Sequence, residues 1–312
     1  MSPESLFTRK GYKQQYRKLA AEHHPDKGGD PAVFAEITAA YNTVKNYRDD
    51  EWKYGGVVSI NNIPYPYLMK DSYELGEVFI MGDRVVYSVK AGNTDLMNRF
   101  DLGTKKAREF KGDKTRAEFV LSVPRITIFN ESPTPTGMSA ISTIVPQGYM
   151  RLKDVHEAEP LSDRHVAWIV SRLLNLCCWL SVAGVVHNAI STENVFIDPV
   201  NHRVALLGGW FYSVNEGQKL LALPKKTVEF GPSNLLRDKV GSHKTDLELV
   251  KVLARELVGS NAPKAMLSYL DLPAGDVALK EFKYWYDVVL TEAFGPKKFV
   301  ELKVGNIYKI GE

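Results

Sequence analysis

The chain has 312 residues and a mass of 35.0 kDa, with 44% hydrophobic and 25% charged residues. That composition excludes wholesale disorder and leaves room for one large domain plus a small module, or for two medium domains. A net charge of +3 and an isoelectric point near 8.6 are too weak a bias to point to nucleic acid by themselves. The two cysteines, Cys177 and Cys178, are adjacent. Consecutive helical side chains diverge, so the pair makes no bridge with itself, and two thiols without companions make no zinc site. They read as buried thiols in a reducing compartment, so the expected location is cytoplasmic. Residues 1–10 lack the apolar centre of a signal peptide.

Residues 11–21 (GYKQQYRKLAA) have Tyr12, Tyr16 and Leu19 at spacings that share one helical face. The stretch EHHPDKGGDP then stops the helix, and Asp30-Pro31 starts another over 32–44, with Phe34, Ile37, Ala40, Tyr41 and Val44 recurring at three and four. Two helices joined by a polar loop make a helical hairpin. YRKLAAEHHPDKGGD and the continuation FAEITAAYNTV resemble the core of a J domain, the co-chaperone module that engages DnaK-type heat-shock ATPases. The resemblance implies that His24, Pro25 and Asp26 form the loop that triggers ATP hydrolysis in the partner. It also implies that Lys13, Arg17 and Lys18 form the basic face that docks on it. Only residues 2–10 are left for the family's first helix, with Leu6 and Phe7 as anchors, so that helix is expected to be shortened or lost. The alternative is a solvated turn in a hairpin retained to pack on the larger domain.

Gly55-Gly56 marks a boundary, and 57–69, broken by Asn61-Asn62, Pro64 and Pro66, suits a linker or edge strand. Residues 74–91 (ELGEVFIMGDRVVYSVKA) read as a β-hairpin turning at Gly82-Asp83, 94–110 as a helix, and 116–129 and 138–145 as strands. A long apolar helix over 161–186 follows, capped by Ser162 or Asp163. Its best membrane window is interrupted by Ser171, Arg172 and Asn175, so a buried helix is the better reading. It runs into HNAISTENVFID (187–198), and a strand-like run, RVALLGGWFY (203–212), leaves that loop.

Helix, polar loop with a His at its start and an Asn seven positions later, strand, turn and second strand: this order resembles the catalytic-loop region of the eukaryotic-type protein kinase fold. There the loop reads HRDxxxxN and the following hairpin ends in DFG. His187 and Asn194 match, whereas Ala189 holds the place of the catalytic base and Gly208 that of the metal-binding Asp. The transfer chemistry needs a carboxylate for the acceptor hydroxyl, an Asn plus an Asp for Mg²⁺, and a lysine for the phosphates. Lys90 is the best match to that lysine, while its glutamate partner falls on Phe100 or Asp101. Asp198, before Pro199, reads as a turn former. Asp246 resembles the buried Asp that holds the loop backbone, or else caps its own helix. Trp285 and Tyr286 read as core aromatics.

The expected fold class is α+β: a bilobal protein-kinase-like fold with a small all-helical J-like hairpin. The expected domains are the hairpin over 1–54, a mostly β N-lobe over 55–147 and a mostly α C-lobe over 148–312. The expected function is a catalytically inactive pseudokinase adaptor whose J-like segment binds a protein partner, a DnaK-type chaperone, without cofactor, metal or membrane. The fusion suits a phage or mobile-element product. Two alternatives stay open. One is an atypical kinase or nucleotide-dependent switch holding ATP and Mg through Lys90 and Asn194. The other is a structural or nucleic-acid-associated protein using Lys/Arg patches.

Overall fold

Three apolar cores with no residue in common organise the chain. The computed structural model describes residues 3–7, 11–47, 56–61, 63–90, 92–130, 139–233, 235–296, 298–305 and 307–308. The fold class is α+β.

The smallest core belongs to the N-terminal helices α1 (Pro3–Leu6), α2 (Tyr12–His23) and α3 (Pro31–Lys45). Asp30 caps α3 by accepting from the amide of Ala32 at 2.8 Å, and Pro31 supplies a first-turn residue that needs no amide partner. Tyr12, Tyr16 and Leu19 of α2 close over Ile37, Ala40 and Val44 of α3, and the Tyr16 ring stacks on Tyr41 at 3.9 Å. The first helix is a single turn whose job is to bring Leu6 and the buried Phe7 to the same core.

Next comes a hairpin, β1 (Gly56–Ile60) and β2 (Ile63–Tyr67), where a linker or edge strand was expected. Alternation explains it: Val58 and Ile60 point inward onto Phe79, Met81, Val86 and Ala140 of the main sheet. That sheet is built from β3 (Met69–Tyr73), β4 (Gly76–Ile80) and β5 (Arg84–Val89). After helices α4 (Thr94–Ala107) and α5 (Asp113–Phe119) come β6 (Ile126–Asn130) and β7 (Ser139–Ile144). The strand order is β3-β4-β5-β7-β6, with every neighbouring pair antiparallel. The strand expected from residue 116 begins only at Ile126. Gly112 at φ 109 turns the chain into α5, and Pro124 precedes the strand.

The remaining elements are β8 (Met150–Arg151), α6 (Leu152–Ala158), α7 (Asp163–Ala183), β9 (Val185–Val186), β10 (Val195–Asp198), β11 (Arg203–Leu206) and β12 (Val214–Asn215). They are followed by α8 (Lys225–Phe230), α9 (Leu235–Asp238), α10 (His243–Leu257), α11 (Lys264–Asp271), α12 (Ala278–Lys283) and α13 (Leu290–Phe294), with a π-helical turn Tyr284–Val289 joining the last two. Ser162 and His165 form a reciprocal cap on α7, and Gly184, left-handed at φ 67, ends it. By composition α7 is apolar enough to cross a membrane, but 61% of its most apolar window is buried and it is the axis of the largest core. Val78, Ile80, Val85, Tyr87 and Val89 of the main sheet enter that same core, so sheet and helices share one interior.

Candidate functional site

The loop after β9 is held by one buried carboxylate. Asp246, in the first turn of α10, accepts the amides of His187 and Asn188 through its two oxygens, each at 2.8 Å. It is not the helix cap, because Ser242 accepts from Lys244 instead. Burial pushes its carboxyl up to about 7, against the two amides that pull it down. The hydroxyl of Thr227 donates to the Asn188 carbonyl at 2.6 Å, fastening α8 to the same loop.

His187 has a fixed tautomer. Its Nδ1 accepts from the Ala189 amide at 3.2 Å, so the proton sits on Nε2 and is donated to the Gly208 carbonyl at 2.9 Å. Burial drives the imidazole down to about 3, so the ring is neutral and acts as a tie. Asn194 donates to the Ala189 carbonyl at 2.8 Å, while its own carbonyl accepts from Leu207 and Gly208 at 3.1 and 3.2 Å. Asp198 accepts from the amides of Val200 and Asn201, both at 3.1 Å, as a turn former does.

At Gly208 there is no room for a carboxylate. A Cβ there would press on Asn194 Oδ1 and lie 2.5 Å from the hydroxyl of Tyr87. Gly209, left-handed at φ 78, is equally tight: a Cβ would meet His187 Cε1 at 2.7 Å and the Ala189 methyl at 2.9 Å. The Tyr87 hydroxyl is buried with no hydrogen-bond partner among the described residues, and burial lifts it far above the usual phenol range.

Tyr87, on the inner face of β5, lines the cleft. Lys90 is exposed beyond the strand end and does not line the cleft, so Lys90 and Asn194 are not brought together. The neighbouring slot holds Phe100 of α4, fully buried, with its ring 6.1 Å from Tyr87 and 4.8 Å from Phe211. Asp101 pairs at the surface with Lys105 at 2.6 Å. Tyr87, Phe100 and Phe211 therefore form an aromatic cluster, and Lys90 has no part in it.

Between sheet and helices lies a cavity of about 330 Å³. Its floor is Ala189, Ser191 and Asn194, and Tyr73, Phe211 and Tyr212 form its aromatic wall. The β3–β4 turn is only two residues, and Glu74 in it accepts from the Lys225 amide at 3.2 Å, tying roof to α8. Lys226 bridges Glu193 at 3.4 Å and Glu256 at 3.0 Å. Burial alone raises the Glu193 carboxyl, but Lys226 and hydrogen bonds outweigh it and hold the group below its ordinary range. Arg151, almost wholly buried, pairs with Asp154 at 2.6 Å and with Asp71 of β3 at 3.1 Å. Tyr308 donates to Asp154 and accepts from the Arg151 amide, both at 3.0 Å. Among the described residues, no three His, Cys, Asp or Glu side chains gather to hold a metal ion.

The second candidate site is the α2–α3 turn. Residues Pro25–Lys27 form a single 3₁₀ turn in which His24 Nδ1 accepts from the Asp26 amide at 3.2 Å, while the His24 ring packs edge-on against Phe34 at 5.0 Å. Pro25 is exposed and the Asp26 side chain is 89% exposed. Lys13, Arg17 and Lys18 are exposed on the face of α2 opposite Tyr12, Tyr16 and Leu19.

Tyr87, Phe211, Glu74 and Arg151 were not singled out from the sequence. Period two along RVVYSVK carried the signal for the first: counting from Val85 puts Tyr87 and Val89 on the inner face and leaves Lys90 off it. Arg151 and Asp154, opposite charges three apart at a helix start, were the signal for the clamp. No protein family matches the chain in a scan of family profiles, and a search of curated proteins finds no match either.

Proposed function

We propose that this chain is a catalytically silent, kinase-like adaptor whose N-terminal hairpin engages a DnaK-type heat-shock ATPase. The observation that carries the reading is the exposed His24-Pro25-Asp26 turn, preformed by the His24–Asp26 contact and set beside a basic helix face on a core of its own. A cationic face and a rigid exposed turn suit docking on an acidic protein surface, because the ordering cost is already met before binding. The kinase-like half of the proposal is supported by the loop tied to Asp246, by His187 bonded to the carbonyl of residue 208, and by a cleft between sheet and helices. Silence is supported by the methyl of Ala189 and by Gly208, whose side-chain space Tyr87 and Asn194 occupy. A positioned base and a metal carboxylate carry much of a phosphoryl transfer, and neither position supplies an oxygen ligand.

The test is the steady-state ATPase rate of a DnaK-type chaperone with the wild-type protein and with His24→Gln. Stimulation by the wild type that the variant lacks is the expected result. Equal rates with and without the protein would sink the proposal and leave the hairpin as a packing element.

A further inference from the structure

A second cavity lies far from the loop, between α7 and the C-terminal helix pair, with a volume of about 280 Å³. Three cations line it, Arg164, Arg172 and Lys298, and its lining contains no carboxylate. Arg172 pairs with Glu118 at 3.8 Å, and Glu118 also accepts from Asn175 of the lining at 3.0 Å; both charged groups are about half-exposed, so the pair neutralises little of that charge. The walls are aromatic. Tyr286 stacks on Phe282 at 5.4 Å, and Arg164 lies 4.7 Å over the ring of Phe294. At one edge Trp168, His202 and Phe299 form a continuous stack, with ring separations of 4.5 and 4.2 Å and interplanar angles of 4° and 17°. The last ring, Phe299, is 69% exposed.

The backbone at this place is also unusual. The helix from Ala278 to Phe294 passes through the π turn Tyr284–Val289, which sends Trp285 inward to donate to Ser171 at 2.9 Å and leaves Tyr286 on the groove. Such turns are rare and concentrate at functional positions, because the misfit in the hydrogen-bond ladder persists only where it places a side chain. Trp285 is a core aromatic, as expected, whereas Tyr286 is half-buried and faces this cavity.

We infer that this groove is a binding site for a small planar anion: an aromatic or heteroaromatic ring carrying a carboxylate or phosphate. The aromatic walls supply flat faces for the ring, and the guanidinium groups supply donors for the anionic end. Net positive charge in the lining selects against neutral and cationic analogues of the same shape. Its volume of about 280 Å³ lies at the small end of the range for small-molecule pockets. The inference does not rest on the kinase-like reading, since no cleft residue takes part in it.

Isothermal titration calorimetry on the full chain tests it with naphthyl phosphate and naphthoate as anionic probes, and with naphthylmethanol and naphthylmethylamine as controls. Either anion is expected to bind with a dissociation constant of about 0.1 mM at low salt, weakening as salt rises, with the controls at least about tenfold weaker. The tighter anion tells a phosphate site from a carboxylate site. Arg164→Gln is expected to cost about tenfold in affinity. Lys298→Gln, at an exposed position, should cost a few-fold without affecting folding, and Lys225→Gln, at the other cavity, should change nothing. No binding of either anion, equal binding of the uncharged analogue, or affinity unmoved by both Arg164→Gln and Lys298→Gln would each overturn the inference.

Discussion

The hydroxyl of Tyr87 stands in the space that a side chain at Gly208 needs, 2.5 Å from where its Cβ would lie. Glycine at 208 and tyrosine at 87 are thus one packing solution. Gly208→Ala is expected to destabilise by about 1–3 kcal/mol, as overpacking does. Tyr87→Phe by itself should be neutral or slightly stabilising, because its buried hydroxyl has no hydrogen-bond partner among the described residues. Chemical denaturation of both variants and the double variant should give a favourable coupling of about 1 kcal/mol. Additive effects would mean that the two residues do not compete for the same space.

Asp246 and His187 are joined by a hydrogen bond and should mask one another's pH dependence. The buried carboxyl of Asp246 is pushed up to about 7 from 3.8, so between those values the folded state holds a proton that the unfolded state has lost. Its contribution therefore falls as pH rises. His187 is pushed down to about 3 from 6.5, so the unfolded state holds the extra proton and its contribution falls as pH drops. Each slope is about 1.4 kcal/mol per pH unit and they oppose one another where the windows overlap. His187→Gln, left with the Asp246 slope, should lose stability as pH rises from about 4 to 7, and Asp246→Asn, left with the His187 slope, should lose it as pH falls from about 6.5 to 3. Urea titrations across that range check the pair, and slopes of the same sign in both variants would refute the assignment.

Arg151 clamps β3 to α6 through Asp71 and Asp154. Arg151→Ala leaves Asp154 buried with only the Tyr308 hydroxyl, while Asp71 keeps Lys153 at 2.8 Å; the loss should be about 3 kcal/mol, and Arg151→Met, filling the same volume, still leaves the Asp154 charge unpaired and should recover only the packing part. The triple variant Arg151→Met, Asp154→Leu, Asp71→Asn should regain most of the loss, as read by guanidinium unfolding midpoints.

Millimolar ATP with Mg²⁺ should leave the melting temperature unchanged, since ligand binding to the native state raises it by mass action. A rise that vanishes in Asn194→Ala would instead favour a nucleotide-dependent switch using the loop Asn.

The hairpin offers a separation of folding from docking. Ile37→Ala empties the smallest core and is expected to cost about 2–5 kcal/mol. His24→Gln, at a partly exposed ring, should melt like the wild type while abolishing any stimulation of a heat-shock ATPase. Loss of helicity in His24→Gln by circular dichroism would show that the residue is structural.

Local chemistry was enough to read several helices and turns of this chain: the 3.6 period of α2 and α3, Ser162 as one of two candidate caps of α7, and the polar loop that starts at His187. These signals lie within a few residues of the structure they specify, so no distant partner is needed to interpret them. Period two in β5 also lay in the sequence, although the choice of Lys90 as a cleft residue passed over it. The tertiary structure alone decided that Tyr87, Phe100 and Phe211 meet, that Arg151 reaches Asp71, and that Arg164, Arg172 and Lys298 share one groove. Those residues come from elements far apart in the chain, and burial and charge pairing act on distance in space. The sequence alone determined that positions 189 and 208 carry no oxygen side chain; the fold decided that Tyr87 and Asn194 occupy the space at 208.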